Sequence, residues 1–449
     1  MRVGFAKNSI TPRVGVELCG FGPFRLRHSV GVRDRLWARA MAIEHGGVRA
    51  TLVTCDLIGV TAAMTERVRG LVAEHVGPEA AEGLLICCSH THSGPSTGPY
   101  VGWGEADAVY CETLPSRIAT ACVRAWERLE ACPEDVELAH AEVPCEGIGI
   151  NREYERETPA LEAALRDDWR PAKPELTDTT CHVVTARAEG RLLGFFSYFG
   201  CHPVVCCAET RYIHGDYAGV ATNLLEREHP GSVGLFVQGA QGDVNTCVVH
   251  KPEAESLLAL DVIAGRYAGA LRAGLDAAVP FAVDGIAHCR KAVCFTRREY
   301  DLGQLRGTLE EHESRLHALD ATDGAGAELR MDTVWAVALR RIISQLDAGE
   351  DTGGPTDVAG MRIGPVAILG SGFETFQAIK NDVVERAAGP ITLVAGLTND
   401  SVGYAPDRTM AKQGGYAADF VPFLTSKLPY ANIHDELVEA LLGVDAALR

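Results

Sequence analysis

The chain of 449 residues has a formal net charge of -18 at pH 7, and 47% of its residues are hydrophobic. This length can bury a large core, in one large domain or in about two to three smaller ones. The acidic balance argues against nucleic acid and anionic membranes as partners, because both are repelled by such a surface. The first residues lack the apolar run of a signal peptide, and no stretch approaches the about 18 apolar residues of a membrane helix. We therefore expect a cytoplasmic protein without stable membrane association.

Short apolar runs bounded by turn residues alternate with longer segments of helical periodicity. This pattern predicts a mixed α/β fold in which helices flank a largely buried β-sheet. Polar segments at 153–178, 319–331 and 347–357 are predicted surface loops. We predict a single catalytic domain over residues 1–449, with a helical insertion at 282–350. In chain order, the predicted elements are strand 50–55, helix 62–74, strand 84–89, helix 112–129, strands 136–141, 182–186 and 192–199, helix 218–228, strand 232–237, helices 254–277, 302–319 and 333–346, strand 366–369, helix 375–387, strand 391–395 and helix 435–448.

The fifteen cysteines do not have the pattern of a disulfide framework. Their number is odd, two pairs are adjacent in sequence at 87–88 and 206–207, and no C-x-x-C spacing occurs. A free cysteine behaves as a small apolar group, so we predict that most are reduced thiols in the core. The alternative is a thiolate metal ligand from Cys201, Cys206 or Cys207, which flank His202 in sequence.

The first candidate site follows the predicted strand 84–89, which runs directly into His90 and, one residue further, His92. In extended backbone, two residues at this spacing point to the same side. Two imidazoles at a strand end suit zinc, since catalytic zinc sites have three protein ligands and an open position. An ordinary hydrogen-bonded histidine pair fits the same spacing.

Two more candidate ligands also follow predicted strands. His202 comes directly after strand 192–199, and Pro203 restricts it to extended backbone. Open α/β sheets place catalytic groups at this end of their strands. Glu374 follows strand 366–369 and a glycine turn, at the predicted start of a helix. The alternatives are a histidine that caps the strand and a glutamate that stabilises the helix N-terminus.

Two loops complete the set of candidates. Strand 232–237 leads into a glycine-containing loop with Gly242, Asp243 and Asn245, and such a loop brings backbone N–H groups close to a substrate oxygen. A tight turn closed by Asp243 is the alternative. Strand 391–395 is followed by Tyr404, which is a candidate fourth metal ligand, a candidate acid or a core aromatic residue.

In this order, the segments resemble the catalytic N-terminal domain of the neutral/alkaline (non-lysosomal) ceramidases. Residues 4–12 are similar to that family's opening pattern G-x-A-x-x-D-I-T-P, and residues 90–95 reproduce its H-T-H-S-G-P signature unchanged. The resemblance extends to about residue 425 and is weak between 282 and 350. It implies a ceramidase-like catalytic domain, here without the family's C-terminal β-sandwich domain.

The resemblance also implies a zinc centre. His90, His202 and Glu374 would bind one Zn²⁺ per chain, and Tyr404 would be a fourth ligand. His92 would lie beside the metal as a proton donor or acceptor.

The resemblance further implies that Arg152, in a segment similar to the family's N-R-S, faces the substrate. Asn245 stands where the family's G-D-x-S-P-N segment has a serine assigned as nucleophile, and an asparagine cannot be acylated. We therefore predict direct attack by a zinc-activated water. His92 would pass the proton to the leaving amine. Arg152 and the loop with Gly242, Asp243 and Asn245 would hold the substrate, with Asn245 donating to the oxyanion.

These residues predict hydrolysis of the N-acyl amide bond of a small soluble substrate. One alternative is zinc-dependent hydrolysis of an ester or lactone, and another is a lyase or cyclase that uses zinc to polarise a carbonyl. A third is a structural zinc protein, although such sites are usually closed by four Cys or His ligands. The sequence leaves the oligomeric state open.

Overall fold

A computed structural model describes residues 1–98, 100–131, 136–318, 326–350 and 352–449. Within these ranges, no helix is both long and apolar enough to cross a membrane. A 3-10 helix (Pro174–Leu176) and a π-helix (Tyr416–Phe420) supplement the regular elements. The strands are β1 (Arg2–Ser9), β2 (Gly31–Val32), β3 (Trp37–His45), β4 (Val48–Cys55), β5 (Leu84–Cys88), β6 (Glu137–Pro144), β7 (Gly149–Asn151), β8 (Thr180–Ala188), β9 (Arg191–Phe199), β10 (Tyr212–Ile213), β11 (Val233–Gln238), β12 (Val244–Thr246), β13 (Val279–Pro280), β14 (Ile286–Val293), β15 (Thr356–Ile363), β16 (Val366–Ser371), β17 (Phe373–Thr375), β18 (Ile391–Ala395) and β19 (Gly403–Ala405). The α-helices are α1 (Ala62–His75), α2 (Pro78–Glu82), α3 (Ala108–Glu130), α4 (Leu161–Ala164), α5 (Asp216–Glu228), α6 (Glu253–Ala277), α7 (Leu302–Ala318), α8 (Ala327–Asp347), α9 (Gln377–Arg386), α10 (Arg408–Gln413), α11 (Val421–Leu424) and α12 (Ile433–Ala447).

Three larger sheets form the framework. The first has the strand order β1-β3-β4-β5, the second β11-β9-β8-β6-β13 and the third β14-β15-β16-β18. Each contains one parallel pair, which is β4 with β5, β9 with β11 or β16 with β18, and its other neighbours are antiparallel. A parallel pair needs a crossover connection, and α1, α5 and α9 lie in these connections. Both strands of such a pair end at the same edge, where α/β sheets bind ligands.

A shared apolar core holds the three sheets together. Leu52 of the first sheet, Phe196 of the second and Ile368 of the third belong to one cluster of buried side chains. Near the strand ends, Ile86 of β5 exchanges two hydrogen bonds with Asn399, which follows β18. Burial of each large apolar side chain contributes about 1.5–3 kcal/mol. The common core therefore fixes the three sets of strand ends relative to one another.

The predicted mixed α/β class is confirmed, and each predicted strand and helix overlaps an observed element of the same type. The strands are distributed over three sheets rather than one. Strands β1, β3, β14 and β15 are not predicted, because charged residues interrupt their apolar runs. The segment 282–350 contains β14 as well as α7 and α8. The predicted loop at 319–331 is helical from residue 327, and residues 319–325 and 351 lie outside the described ranges.

Glu374 does not begin a helix, contrary to the prediction. It lies in β17, and α9 begins only at Gln377. Strand β17 pairs in parallel with β19, so that Glu374 stands opposite Tyr404. Phe373 and Thr375, which flank Glu374, are of types that fit a pleated, half-buried strand. The alternative that Glu374 merely stabilises a helix N-terminus is therefore wrong.

The cysteines agree with the prediction of reduced core thiols. Eleven of the fourteen cysteines in the described ranges are buried, and none of the fourteen forms a disulfide. Burial raises the pKa of the Cys87 thiol to about 12 and that of Cys247 to about 11. These thiols are therefore protonated and inert at neutral pH.

A buried ion cluster joins the first sheet to the second. Arg39 of β3 is 2% exposed and donates to Asp56 at 2.8 Å and to Glu226 of α5 at 3.2 Å. Glu226 also accepts the N–H of Gly234 in β11 at 3.1 Å. Removing one partner of such a cluster leaves buried charges without compensation.

We expect Arg39→Met to lower the free energy of unfolding by about 3–5 kcal/mol, because Asp56 and Glu226 lose their shared guanidinium. Urea unfolding followed by circular dichroism measures the change. The matched control is Arg67→Met, which removes an arginine paired with Glu112 at the surface and should leave the unfolding midpoint nearly unchanged. Equal midpoints for the two variants would contradict a structural role of the buried cluster.

Candidate metal centre

Two imidazoles and one carboxylate meet at the edge where the parallel strand pairs end. His90 follows β5, His202 follows β9, and Glu374 lies in β17 just after β16. The Nε2 atoms of His90 and His202 lie 3.1 Å and 3.0 Å from Oε2 of Glu374. All three residues are buried. The structure therefore brings together the three residues that the sequence proposes as metal ligands.

The second ring nitrogen of each histidine is held by the main chain. Nδ1 of His90 lies 2.7 Å from the carbonyl oxygen of Ile58, and Nδ1 of His202 lies 2.5 Å from that of Gln241. Because a carbonyl only accepts, the proton of each neutral ring is on Nδ1, and Nε2 presents a lone pair.

Two Nε2 lone pairs then face the same oxygen of Glu374. Three acceptors at this distance repel one another unless a proton or a metal cation lies among them. Two neutral imidazoles fixed by backbone carbonyls, together with a carboxylate, are the ligand types and outer partners of catalytic zinc sites. The donor set therefore fits a divalent metal ion.

Burial dominates the electrostatics of this site. It lowers the pKa of His202 to about 4 and the pKa of His92 well below its ordinary value. Burial also opposes ionisation of Glu374, but the neighbouring histidines hold the pKa of this carboxyl well below its usual range. A neutral imidazole and an ionised carboxylate are the protonation states that metal binding requires.

His92 completes a cluster of three imidazoles. The ligand nitrogens of His90, His92 and His202 all lie within 4.8 Å of one another, and the ring centroids of His90 and His92 are 4.8 Å apart. Neither ring nitrogen of His92 has a hydrogen-bond partner among the described residues. Gly20, at φ +101°, faces this ring, and a Cβ there would lie 2.2 Å from Nδ1 of His92. His92 lines the metal-site cavity, and neither of its nitrogens is committed to another residue in the described part of the chain.

Arg152 is placed beside the site by the loop after β11. Its guanidinium donates to the carbonyl of Gly242 at 2.7 Å and to Oδ1 of Asn245 at 3.3 Å, and it lies 5.1 Å from the ring centroid of Tyr404. Burial alone would lower the pKa of Arg152, but Tyr404 and Glu374 raise it above its ordinary value. Since Oδ1 of Asn245 accepts from Arg152, the amide NH₂ of Asn245 is the end that can donate to a substrate oxygen.

The same loop also supports the strand that bears Glu374. Asp243 accepts from Asn151 at 2.8 Å and from the N–H of Gln377 at 2.9 Å, so both carboxylate oxygens are bonded to the protein. Burial raises the pKa of Asp243 to about 6. Gly242 lies against β17, where a Cβ would stand 2.5 Å from the carbonyl oxygen of Glu374. The geometry gives both residues a positioning role, and their predicted contact with substrate stays a prediction.

Tyr404 lies next to the ligands, with its ring centroid 6.4 Å from that of His202. Burial raises the pKa of its hydroxyl well above the ordinary value, although Arg152 lowers it. The assignment of Tyr404 as fourth ligand or acid stays a prediction.

Sequence reasoning did not find several residues that line the metal-site cavity, which has a volume of about 50 Å³. Among them are Tyr100, Trp103 and Tyr416, which come from loops and from the π-helix. Such residues have no local sequence pattern, because only the tertiary fold brings them to the cavity. One signal was present in the sequence. Gly20 and Gly22 flank Phe21, and closely spaced glycines indicate unusual backbone, which in the structure lies against the ring of His92.

The premise that His90 and His92 project from extended backbone is wrong for His90. Its φ is +66°, in the left-handed region that few non-glycine residues adopt. The N–H of His90 is bonded to the carbonyl of Leu57 at 2.8 Å, which holds this conformation. Strain of this kind is concentrated at functional sites.

Cys206, His214 and Asp216 form a second group of buried potential ligands. Asp216 already accepts three backbone N–H groups, and its own N–H donates to Nδ1 of His214 at 3.0 Å. Burial keeps the Cys206 thiol protonated by raising its pKa. The carboxylate and Nδ1 of His214 are therefore satisfied without an ion, and Nδ1, by accepting the N–H of Asp216, leaves the ring proton on Nε2, which is buried without a partner among the described residues. The thiolate alternative gains no support here.

Residues 1–253 match the sequence model of a protein family, the neutral/alkaline non-lysosomal ceramidases (N-terminal domain). This range includes His90 and His202 but not Glu374. No curated protein matches the sequence. The fold is similar to that of the neutral ceramidase from Pseudomonas aeruginosa, with a TM-score of 0.73 and 21% identity over 100% of this chain and 74% of that chain. It is also similar to a ceramidase complexed with C2, with a TM-score of 0.73 and 19% identity over 100% of this chain and 75% of that one. At these identities the likeness of structure concerns the fold.

Proposed function

The chain belongs to the neutral/alkaline non-lysosomal ceramidase family, and we propose that it is a zinc-dependent hydrolase that cleaves the N-acyl amide bond of a lipid. The observation that carries the proposal is that Nε2 of His90 and Nε2 of His202 each lie within 3.1 Å of the same carboxylate oxygen of Glu374, with Nδ1 of each ring held by a backbone carbonyl. When bound there, Zn²⁺ would polarise the scissile carbonyl and lower the pKa of water toward about 7.

The residues around this point suit the two charges that amide hydrolysis creates. Arg152 is a fixed cation, and the amide NH₂ of Asn245 is a neutral donor, so together they can stabilise the oxyanion of the tetrahedral intermediate. His92, whose two ring nitrogens are buried and have no hydrogen-bond partner among the described residues, can accept a proton from the attacking water and give it to the leaving amine. Asn245 has no nucleophilic oxygen for an acyl intermediate, so water is the attacking group in this proposal.

The substrate class is a revision of the sequence-based expectation of a small soluble amide. Ceramide, the substrate that gives the family its name, is a lipid amide, and family membership therefore favours a lipid. The metal-site cavity of about 50 Å³ is far below the about 300–1,000 Å³ of a typical ligand site. Only the amide group fits there, and the chains of the substrate would lie outside it. Soluble amides and esters then serve as comparison substrates, and their rates of hydrolysis are measured beside that of a lipid amide.

The purified protein is expected to release fatty acid and free amine from a ceramide, because the metal and the oxyanion donors act on the amide carbonyl. Both products are quantified by liquid chromatography and mass spectrometry. A chelator should abolish the release, and Zn²⁺ should restore it. A product that retains the acyl group would favour a lyase or cyclase instead, and full activity in chelator would contradict metal dependence.

Two variants separate the chemistry from metal binding. We expect Asn245→Ala to lower kcat by about 10²–10³-fold through loss of an oxyanion donor, and His92→Ala to lower it by about 10²–10⁴-fold through loss of the proton carrier. Metal content, measured by mass spectrometry, should stay at the wild-type level in both.

The matched control is His140→Ala, which removes a histidine paired with His182 in the second sheet. It should leave kcat unchanged. Wild-type kcat in either site variant would remove that residue from its role, and loss of metal in His92→Ala would make His92 a ligand.

A further inference from the structure

Outside the metal centre, the segment 13–35 exposes five large apolar side chains, which we call the apolar rim. They are Val14, Phe24, Leu26, Val30 and Val32, and their exposed fractions are 48%, 37%, 64%, 50% and 41%. A single exposed apolar residue is ordinary, whereas several in one surface segment indicate an interaction surface. These five make up nearly half of the large apolar residues that are exposed in the described ranges.

The backbone holds the apolar rim outward. The segment folds back on itself, and the N–H of Gly15 donates to the carbonyl of Ser29 at 3.0 Å. Phe24 and Leu26 both have left-handed backbone, with φ of +52° and +51°, which is costly for residues of this size. The N–H of Phe24 donates to the carbonyl of Gly102 at 2.7 Å. An apolar side chain kept exposed by a costly conformation is what a binding surface requires.

The charge of the segment is opposite to that of the whole chain. Residues 13–35 contain five arginines and two acidic residues, whereas the chain has a formal net charge of -18. Glu17 is buried, and Asp34 is paired with Arg33 at 2.6 Å. Arg25 and Arg35 are exposed among the apolar side chains. The surface of the segment therefore combines apolar groups with cations, two of which are paired with carboxylates from outside the segment, Arg13 with Asp107 and Arg33 with Asp261.

A groove adjoins Phe24 and Leu26 of the apolar rim. It has a volume of about 440 Å³, and Glu105 is its exposed acidic residue. Its other lining residues are Glu17, Gly98, Tyr100, Val101, Gly102, Gly104, Ala106 and Arg341. Tyr100 lines both this groove and the metal-site cavity. An extended acyl chain lying in the groove would place its amide end near the ligands.

We propose that the apolar rim is a phospholipid-contacting surface, with Arg25 and Arg35 against headgroup phosphates, through which the enzyme takes its amide substrate from a lipid layer. Apolar side chains flanked by cations match the boundary between headgroups and acyl chains. A second copy of the chain matches less well, since a two-fold contact would bring the same arginines face to face. The use of the groove rests on the proposed function, whereas the contact with lipid does not.

Flotation of the full chain with phosphatidylcholine vesicles tests the proposal. The wild type is expected to bind. The double variant Phe24→Ser, Leu26→Ser should bind at least about tenfold more weakly, because it loses two apolar side chains that would be buried in the lipid layer. Arg25→Gln should weaken binding to a smaller degree. The matched control is Leu258→Ser, since Leu258 is 56% exposed on α6 and should bind like the wild type. Circular dichroism confirms that each variant is folded.

Activity distinguishes this proposal from the proposed function. The variant Arg25→Gln, which does not change the groove, should hydrolyse a dispersed short-chain N-acyl amide at the wild-type rate and a long-chain amide in vesicles more slowly. No binding by the wild type, or equal binding by the wild type and the double variant, would overturn the lipid contact. The lipid contact would also be overturned if the double variant changed from dimer to monomer, as seen by light scattering, while its vesicle binding stayed the same. Vesicle binding that depends on the apolar rim, in a protein that cleaves no amide, would overturn the proposed function alone.

Discussion

The site depends on the repulsion among three acceptor atoms that the fold forces together. Nε2 of His90 and Nε2 of His202 lie 3.1 Å and 3.0 Å from one oxygen of Glu374. Neither ring can turn away, because Nδ1 of each is bonded to a backbone carbonyl. The fold thus maintains an arrangement that is unfavourable unless a proton or a metal cation lies among the three atoms, and divalent metal binding makes it favourable. The apolar core shared by the three sheets supplies the rigidity, because the ligands come from the ends of strands in all three.

Buried strands and long helices could be predicted from the sequence because their apolar runs are continuous or strongly periodic. The run of β5, from Leu84 to Cys88, is entirely buried, and the pattern shows it directly. Strands such as β1 and β14 place Lys7 or Arg290 among apolar residues and resemble loops. The division into three sheets could not be predicted, since it depends on pairings between residues far apart in the chain.

The candidate ligands could be predicted because each follows a strand, and strand ends converge in α/β folds. The details that make them ligands could not. The left-handed backbone of His90 and the carbonyl of Ile58 that orients its ring are set by tertiary contacts. The strand conformation of Glu374 is set by pairing with Tyr404 rather than by its own sequence. The role of Arg152 was predicted from the family resemblance alone. Its hydrogen bond to the carbonyl of Gly242 is visible only in the structure. Cavity residues such as Tyr416 have no local signal.

The most direct test of the central claim is anomalous diffraction at the zinc absorption edge from crystals of the protein. The account predicts one strong peak per chain, within bonding distance of Nε2 of His90, Nε2 of His202 and a carboxylate oxygen of Glu374, at about 2.0–2.2 Å. It also predicts that the peak is absent from crystals of His202→Ala grown under the same conditions. A wild-type crystal grown with zinc that has no peak at these atoms, or a peak held by Cys206 and His214 instead, would contradict the account.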